Sequence, residues 1–456
     1  MAEPGDVRRG ASAWFADLAW LPDPAGGRVA HRVVIETAED RITAVGEDRP
    51  PPPGATRLPG LVLPGLANAH SHAFHRALRG RVETCGGSFW TWRDRMYALA
   101  DRLDPDHYRD LACATYCEMA LAGVTTVGEF HYLHHAPSGR PYAEANVMQA
   151  ALAEAAADAG VRVTLLDTCY LRGGFDQPLQ GVQRRFADGD VQRWAERASS
   201  RRPDGHVALG AAIHSVRAVD PTAMEVVRDW AADRGAPLHV HVSEQPAENA
   251  ACLVATGRTP AGLLAERGVL GARTTAVHAT HLTDDDIRLL GSSRSAACLC
   301  PTTERALGDG VGPAAALHAA GSPLCVGSDS HAMVDLFEEA RAVELNQRLA
   351  SGERGRHRPE QLLHAATRAG MLALGWDGGE LARGRLCDLV AVDLASPRLA
   401  GFRRQDGPAF VVFAATAADV THVVVGGRLV VEDRRHRLVE DVRGELHRAI
   451  GRAVGA

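Results

Sequence analysis

From residue 61 onward, short continuous apolar runs alternate with longer stretches whose apolar residues recur at i, i+3 and i+4. The runs are LVLPGLANAH, TTVGEFHY, VRVTLLDT, HVALGAAIH, PLHVHVSE, TTAVHATH, SAACLCPT and PLCVGSDS, eight in all. Stretches such as DHYRDLACATYCEMALAG and DPTAMEVVRDWAADRG lie between them and end on glycine, a common helix stop. Strands buried on both faces and separated by helices call for a parallel sheet, so eight such units predict an α/β fold, a (β/α)8 TIM barrel. An open doubly wound sheet is the alternative.

The two ends of the chain read differently. RVVIETAEDRITAVGE alternates about a Glu39-Asp40 turn, and the prolines 50–53 follow. After a last helical stretch, PEQLLHAATRAGMLALG, strand-like patterns return in CDLVAVDLA, AFVVFAAT and VTHVVVGGRLVVED. We expect residues 1–60 and 380–456 to form one discontinuous small β-sandwich domain around a barrel of residues 61–379.

Composition narrows the chemistry. The chain has 456 residues and a net charge of −6, and all 50 of its Lys+Arg positions are arginine. There is therefore no lysine for a Schiff base, a phosphate loop or a carbamate bridging two metals. Mild acidity without basic blocks argues against nucleic-acid binding. No apolar run approaches the roughly 18 residues of a membrane span, and no signal-peptide core follows MAEPGDVRRG, so a cytoplasmic protein without a membrane partner is expected. Nine cysteines without a C-x-x-C pair read as free thiols in a reduced compartment, with Cys298 and Cys300 buried and inert. Arg201-Arg202 and Arg434-Arg435 are short charged surface stretches that imply no partner.

Barrel active sites lie at the C-terminal ends of the strands, which discriminates among the 21 histidines. The first run ends in His70-Ser71-His72, where alternate residues point the same way. The fifth ends in His241 and the eighth in Asp329, within GSDSH. Three imidazoles and one carboxylate leave a position for water, the pattern of a catalytic zinc or iron site. Glu244, three residues past His241, and His278, closing the sixth run, complete a proton-transfer set. In it Asp329 takes a proton from water, His278 polarises the electrophile and Glu244 serves a leaving nitrogen. Any one of these residues alone reads more simply as packing, or, for Glu244, as a carboxylate at a helix N-terminus. Their distribution over four different run ends favours the metal reading.

The set His70, His72, His241, Glu244, His278 and Asp329 resembles the mononuclear deaminase branch of the amidohydrolase superfamily, over almost the whole chain. The blocks PGLANAHSHAFHRALRG, GSFWTWRDRMY, GEFHYLHH, HSVRAV, CPTTERALGDG and GSDSH resemble the formimidoylglutamate deiminase family more specifically. That resemblance implies one Zn2+ per chain, replaceable by Fe2+ or another divalent ion, a homodimer, and hydrolysis of N-formimino-L-glutamate in histidine degradation. A small dicarboxylate needs cationic or phenolic partners, and a lysine-free chain has only arginine, histidine and tyrosine to offer. Arg217, His214 and Tyr132, just past the fourth and second runs, fit that need; with His75 they match the family positions that contact the glutamate portion, and Arg93 is a further candidate. The chain departs from the family pattern at His75, where glutamine is usual, and at Glu304-Arg305-Ala306, where the loop reads E-A-N.

Two rival readings remain. A deaminase of a heterocyclic base such as guanine or an adenosine derivative would share the metal residues but need a stacking pocket. A non-catalytic barrel scaffold would be expected to have lost a ligand. Trp90 and Trp92 read as loop packing, and His131, His134 and His135 as surface residues or supports of the ligands.

Overall fold

The protein is described here from a computed structural model, in which residues 12–24, 26–83 and 87–455 are described. The segment MAEPGDVRRG lies outside them. The N-terminal strands are β1 (Ser12–Leu21), β2 (Arg28–Ala38), β3 (Arg41–Gly46) and β4 (Thr56–Pro64). The next eight are β5 (Leu66–Ser71), β6 (Val124–His131), β7 (Arg162–Cys169), β8 (Val207–Ser215), β9 (Leu238–Val242), β10 (Thr274–His278), β11 (Ala296–Leu299) and β12 (Leu324–Val326). They pair in parallel in strict chain order from β5 to β12, with helices between them. Every residue of β5, β6, β7, β9 and β10 is buried, as strands sandwiched between a barrel interior and a helical shell must be.

Four C-terminal strands, β13 (Leu389–Val392), β14 (Val420–Val425), β15 (Arg428–Glu432) and β16 (Arg435–His436), join the N-terminal ones in a second sheet of order β16-β15-β14-β13-β4-β1-β2-β3. The two chain ends meet where β13 runs antiparallel to β4, pairing Val390 with Leu63. A separate apolar cluster including Trp14, Val33, Ile35, Leu58 and Leu389 fills this sheet's own core. The first apolar run is thus divided between the two sheets, LVLP ending β4 and LANAHS forming β5. The break falls at Gly65, where a Cβ would lie 2.3 Å from Thr125 Oγ1.

One expected strand is a helix. AFVVFAAT lies largely in the helix Gly407–Ala414, which Pro408 opens and whose Val411 and Val412 are buried. An apolar run of this length has no period to tell strand from helix; the helix wins here because proline suits a first turn and the segment packs against the helices Leu336–Ser351 and Pro359–His364. The stretch PEQLLHAATRAGMLALG is helical but interrupted, with a π-turn at Ala365–Ala369. Among the described residues no helix is long and apolar enough to cross a membrane, and the eight described cysteines are free.

Candidate metal centre and active site

Several strained backbone positions lie where the chemistry was expected. Ser243, His278, Ala279, Asp329 and His331, all non-glycine and all at or just past the C-terminal ends of strands, have positive φ angles of 43 to 66°. Such conformations cost of order 1–3 kcal/mol each and persist only where the surroundings impose them.

His70, His72, His241 and Asp329 converge at this end of the barrel. His70 Nε2 lies 3.2 Å from His241 Nε2 and 3.4 Å from Asp329 Oδ1, and His72 Nε2 lies 3.4 Å from the same oxygen. His72 Nδ1 donates to the carbonyl of Phe130 at 3.0 Å and His241 Nδ1 to that of His214 at 2.9 Å. Those bonds fix the tautomer, so both Nε2 lone pairs point inward. Burial pushes all three imidazoles down, His72 and His241 well below the usual histidine range, which keeps them in the neutral, ligating form. Burial alone would raise Asp329, but hydrogen bonding from His70 and the surrounding imidazoles hold it well below the carboxylate range. The inward lone pairs of His72 and His241, with the buried His70 ring and the Asp329 carboxylate beside them, form a donor set that fits a divalent cation.

His278 and Glu244 stand beside this group. The His278 ring stacks on His241 with centroids 5.6 Å apart, and its Nε2 lies 3.8 Å from Glu244 Oε1. Burial opposes a charge on His278, yet the carboxylates of Glu244, Glu304 and Asp329 lift its pKa to about 10. Burial lifts Glu244 to about 7 against the pull of His278.

The expected substrate residues line one small chamber with the metal group. Its walls include His75, Arg93, Tyr132, His214 and Arg217 beside Asp329, and it adjoins a wider vestibule that shares Arg93, Arg217 and Glu244 with it. His75 Nε2 bonds Tyr132 Oη at 2.9 Å, and Arg217 Nε lies 3.9 Å from Glu248 Oε1. The Arg93 guanidinium sits 4.5 Å above the ring of Trp90. Trp92 packs edge-on against His75 at 5.2 Å and so belongs to the chamber wall, while Trp90 is 44% exposed at the vestibule. Tyr170, which sequence reasoning did not single out, lies 4.6 Å from the His214 ring and also lines the chamber.

Two buried carboxylates behind the site were also missed. Glu129 on β6 accepts from Ser71 Oγ and from the Ala73 amide, both at 2.7 Å, so it clamps the chain on either side of His72. A glutamate inside the otherwise apolar run TTVGEFHY was the available signal. Asp309, raised to about 8 by burial and by Glu244, accepts from Gln245 Nε2.

His131, which ends β6, and His134 and His135 just beyond it are buried elsewhere. His135 pairs with Asp188 at 3.0 Å and His134 bonds the Thr168 carbonyl at 2.9 Å. They edge a buried network in which Arg197 grips Asp167 through two 2.8 Å bonds. Cys298 and Cys300 are buried, and burial raises both thiols.

The sequence matches the Amidohydrolase family over residues 61–430. It is 39% identical over 459 aligned positions to a formimidoylglutamate deiminase of Pseudomonas aeruginosa, covering 95% of this chain and 99% of that protein. An 8-oxoguanine deaminase of Pseudomonas aeruginosa is 32% identical and covers 82% of this chain and 82% of its own length. A crystal structure of an amidohydrolase from Brucella melitensis superposes with a TM-score of 0.90 at 34% identity, over 97% of this chain and all of that one (100%).

Proposed function

Because this chain belongs to the amidohydrolase family, we propose that it hydrolyses N-formimino-L-glutamate to N-formyl-L-glutamate and ammonia, a step of histidine degradation. The observation that carries the substrate is the chamber itself. A chamber walled by Arg217, Arg93, Tyr132, His75 and His214 suits a small dicarboxylate, because Arg217 and Arg93 supply two cationic partners and Tyr132 a phenolic one. The name of the Pseudomonas aeruginosa relative, matched almost end to end, supports the same reading. The heterocyclic-base alternative rests on relatives that cover less of the chain.

We assign His70, His72, His241 and Asp329 to one zinc ion per chain. A bound divalent ion supplies Lewis-acid activation of water, bringing its pKa down towards ~7. Asp329, held anionic, accepts a proton from the attacking water as a C–O bond forms at the formimino carbon and the C=N π bond opens onto the terminal nitrogen. His278 donates from Nε2 to the oxygen and holds it in place. Glu244, lifted to about 7, carries a proton near neutral pH and delivers it to the terminal nitrogen. Asp329 passes its proton on to the same nitrogen, the C–N bond breaks, ammonia leaves, and the hydroxyl proton returns to Glu244 as the formyl carbonyl forms. Arg217 with His214 holds one substrate carboxylate; Tyr132, His75 and Arg93 hold the other. The reading further places the enzyme in the cytoplasm as a homodimer.

Ammonia release from N-formimino-L-glutamate, measured beside guanine and adenosine on the zinc-loaded protein, tests the proposal. Turnover of the linear amidine alone is expected; turnover of a purine alone would overturn the substrate, and none at all after zinc reconstitution would favour a scaffold.

A further inference from the structure

His278 has a second carboxylate behind it. Its Nδ1, on the side away from Glu244, faces Glu304 Oε1 at 3.5 Å. Glu304 lies in the short helix Pro301–Leu307 that follows β11 and is 3% exposed. The same Oε1 accepts the Cys300 amide at 2.8 Å, which pins the carboxylate to the end of β11. Among the described residues no arginine reaches Glu304, and its ion pair is with His278 alone. Arg305, the next residue, turns instead to Glu338 at 2.8 Å. Glu304 does not line the substrate chamber.

The oxygen that accepts the Cys300 amide turns its remaining lone pair towards the imidazole, so His278 Nδ1 is the nitrogen placed to donate to it. From that geometry we infer that Glu304 is a positioning residue for the reaction: by accepting from Nδ1 it fixes the plane of the His278 ring, so that Nε2 is the atom presented to Glu244 and the substrate. The strained backbone of His278, at φ 66° and followed by Ala279 at 50°, aims the ring from one side and Glu304 secures it from the other. The inference rests on the catalytic role proposed above for His278. It also gives physical content to the Glu-Arg-Ala sequence at 304–306: the glutamate common to this loop and its family pattern is the member that touches the site.

Glu304→Gln separates this role from simple helix capping, because glutamine still accepts the Cys300 amide but brings no charge. Partners of this kind typically change activity or metal affinity about 10–100-fold. We expect kcat on N-formimino-L-glutamate to fall about 10–100-fold in Glu304→Gln, with KM within about threefold, zinc content unchanged and the circular dichroism spectrum intact. In a His278→Asn background the same substitution should cost nothing further, since residues that act as a unit are not additive. A readout free of turnover is the ¹⁵N spectrum of histidine-labelled zinc enzyme, with the His278 signals identified by their loss in His278→Asn. A protonated Nδ1 in the parent that shifts in Glu304→Gln supports the inference; identical shifts and an unchanged kcat overturn it. If His278→Asn itself turns over at the parental rate, the catalytic assignment of His278 falls. If His278→Asn is crippled while Glu304→Gln is not, only the inference about Glu304 falls.

Discussion

The amide of Asp329 donates to the carbonyl of His70 at 3.0 Å, and the amide of His72 returns a bond to the carbonyl of Asp329 at 3.2 Å. These bonds lie on the seam between β12 and β5, which are not paired as a regular ladder but meet in the bridge of Ser71 with Asp329. Barrel closure and convergence of the proposed ligands are therefore one structural event.

Gly327 sits at that seam with no room for a side chain. A Cβ there would lie 2.7 Å from His70 Cβ and 2.8 Å from His70 N. Gly327→Ala must push His70 out of line, and overpacking of this kind costs about 1–3 kcal/mol. Denaturant unfolding should show that loss together with zinc affinity at least tenfold weaker; parental zinc affinity would mean the seam and the ligands are not coupled.

Removal of zinc should loosen the barrel as well as stop the reaction. A ligand that binds only the folded state at about a thousand times its Kd stabilises by about 4 kcal/mol. Calorimetry of the chelated protein should show a Tm lower by several degrees, restored with activity on adding back zinc. An unchanged Tm on complete removal of metal would contradict the proposed ligation.

Asp329→Asn retains the shape of the side chain but not its capacity to take a proton. Loss of a positioned base typically costs about 10²–10⁴-fold, so kcat should fall in that range. Metal analysis should accompany the assay, because a variant that keeps its zinc isolates the proton transfer. Undiminished turnover would remove Asp329 from the base role.

How much of this was legible in the sequence follows from what each residue depends on. His70, His72, His241 and Asp329 stand at run ends, and strand periodicity aims such residues without any knowledge of their neighbours. Glu304 and Asp309 lie beyond β11, where their burial depends on how one short helix folds back over His278; no local pattern encodes that. The helix Gly407–Ala414 was hidden for a related reason, since an apolar run of that length takes its form from the helices that cover it. Asp188, Asp167 and Arg197 are far enough apart in the chain that their pairing with one another was visible only in the fold.

That network should set part of the acid stability. Burial would raise Asp188, but hydrogen bonds from His135 and Arg197 and the charge of Arg197 hold its pKa far below the usual range. A carboxyl depressed on folding adds stability that is complete above its unfolded pKa of about 3.9 and fades as the pH falls towards the folded value. Asp188→Asn breaks a buried pair and should cost about 3–5 kcal/mol at pH 7. Urea unfolding at several pH values should show the gap from the parent narrowing below about pH 4; a gap independent of pH would show that lost packing, not lost charge, explains the effect.

His75 stands where the family pattern has glutamine, and the chamber explains why the exchange is tolerable. Burial pushes His75 down to about 3, so near neutral pH it is an uncharged group with one donor and one acceptor nitrogen. Its Nε2 meets the Tyr132 hydroxyl at 2.9 Å, a contact that a glutamine amide of similar reach can reproduce. His75→Gln should therefore change kcat/KM on N-formimino-L-glutamate less than about fivefold, an energy of about 1 kcal/mol, within the range of one neutral hydrogen bond. Discrimination against N-formimino-L-aspartate, one methylene shorter, should also survive. Parallel assays of both compounds on both proteins decide the matter: a loss greater than a hundredfold, or a switch towards the aspartate compound, would mean that His75 recognises the substrate in a way that glutamine cannot.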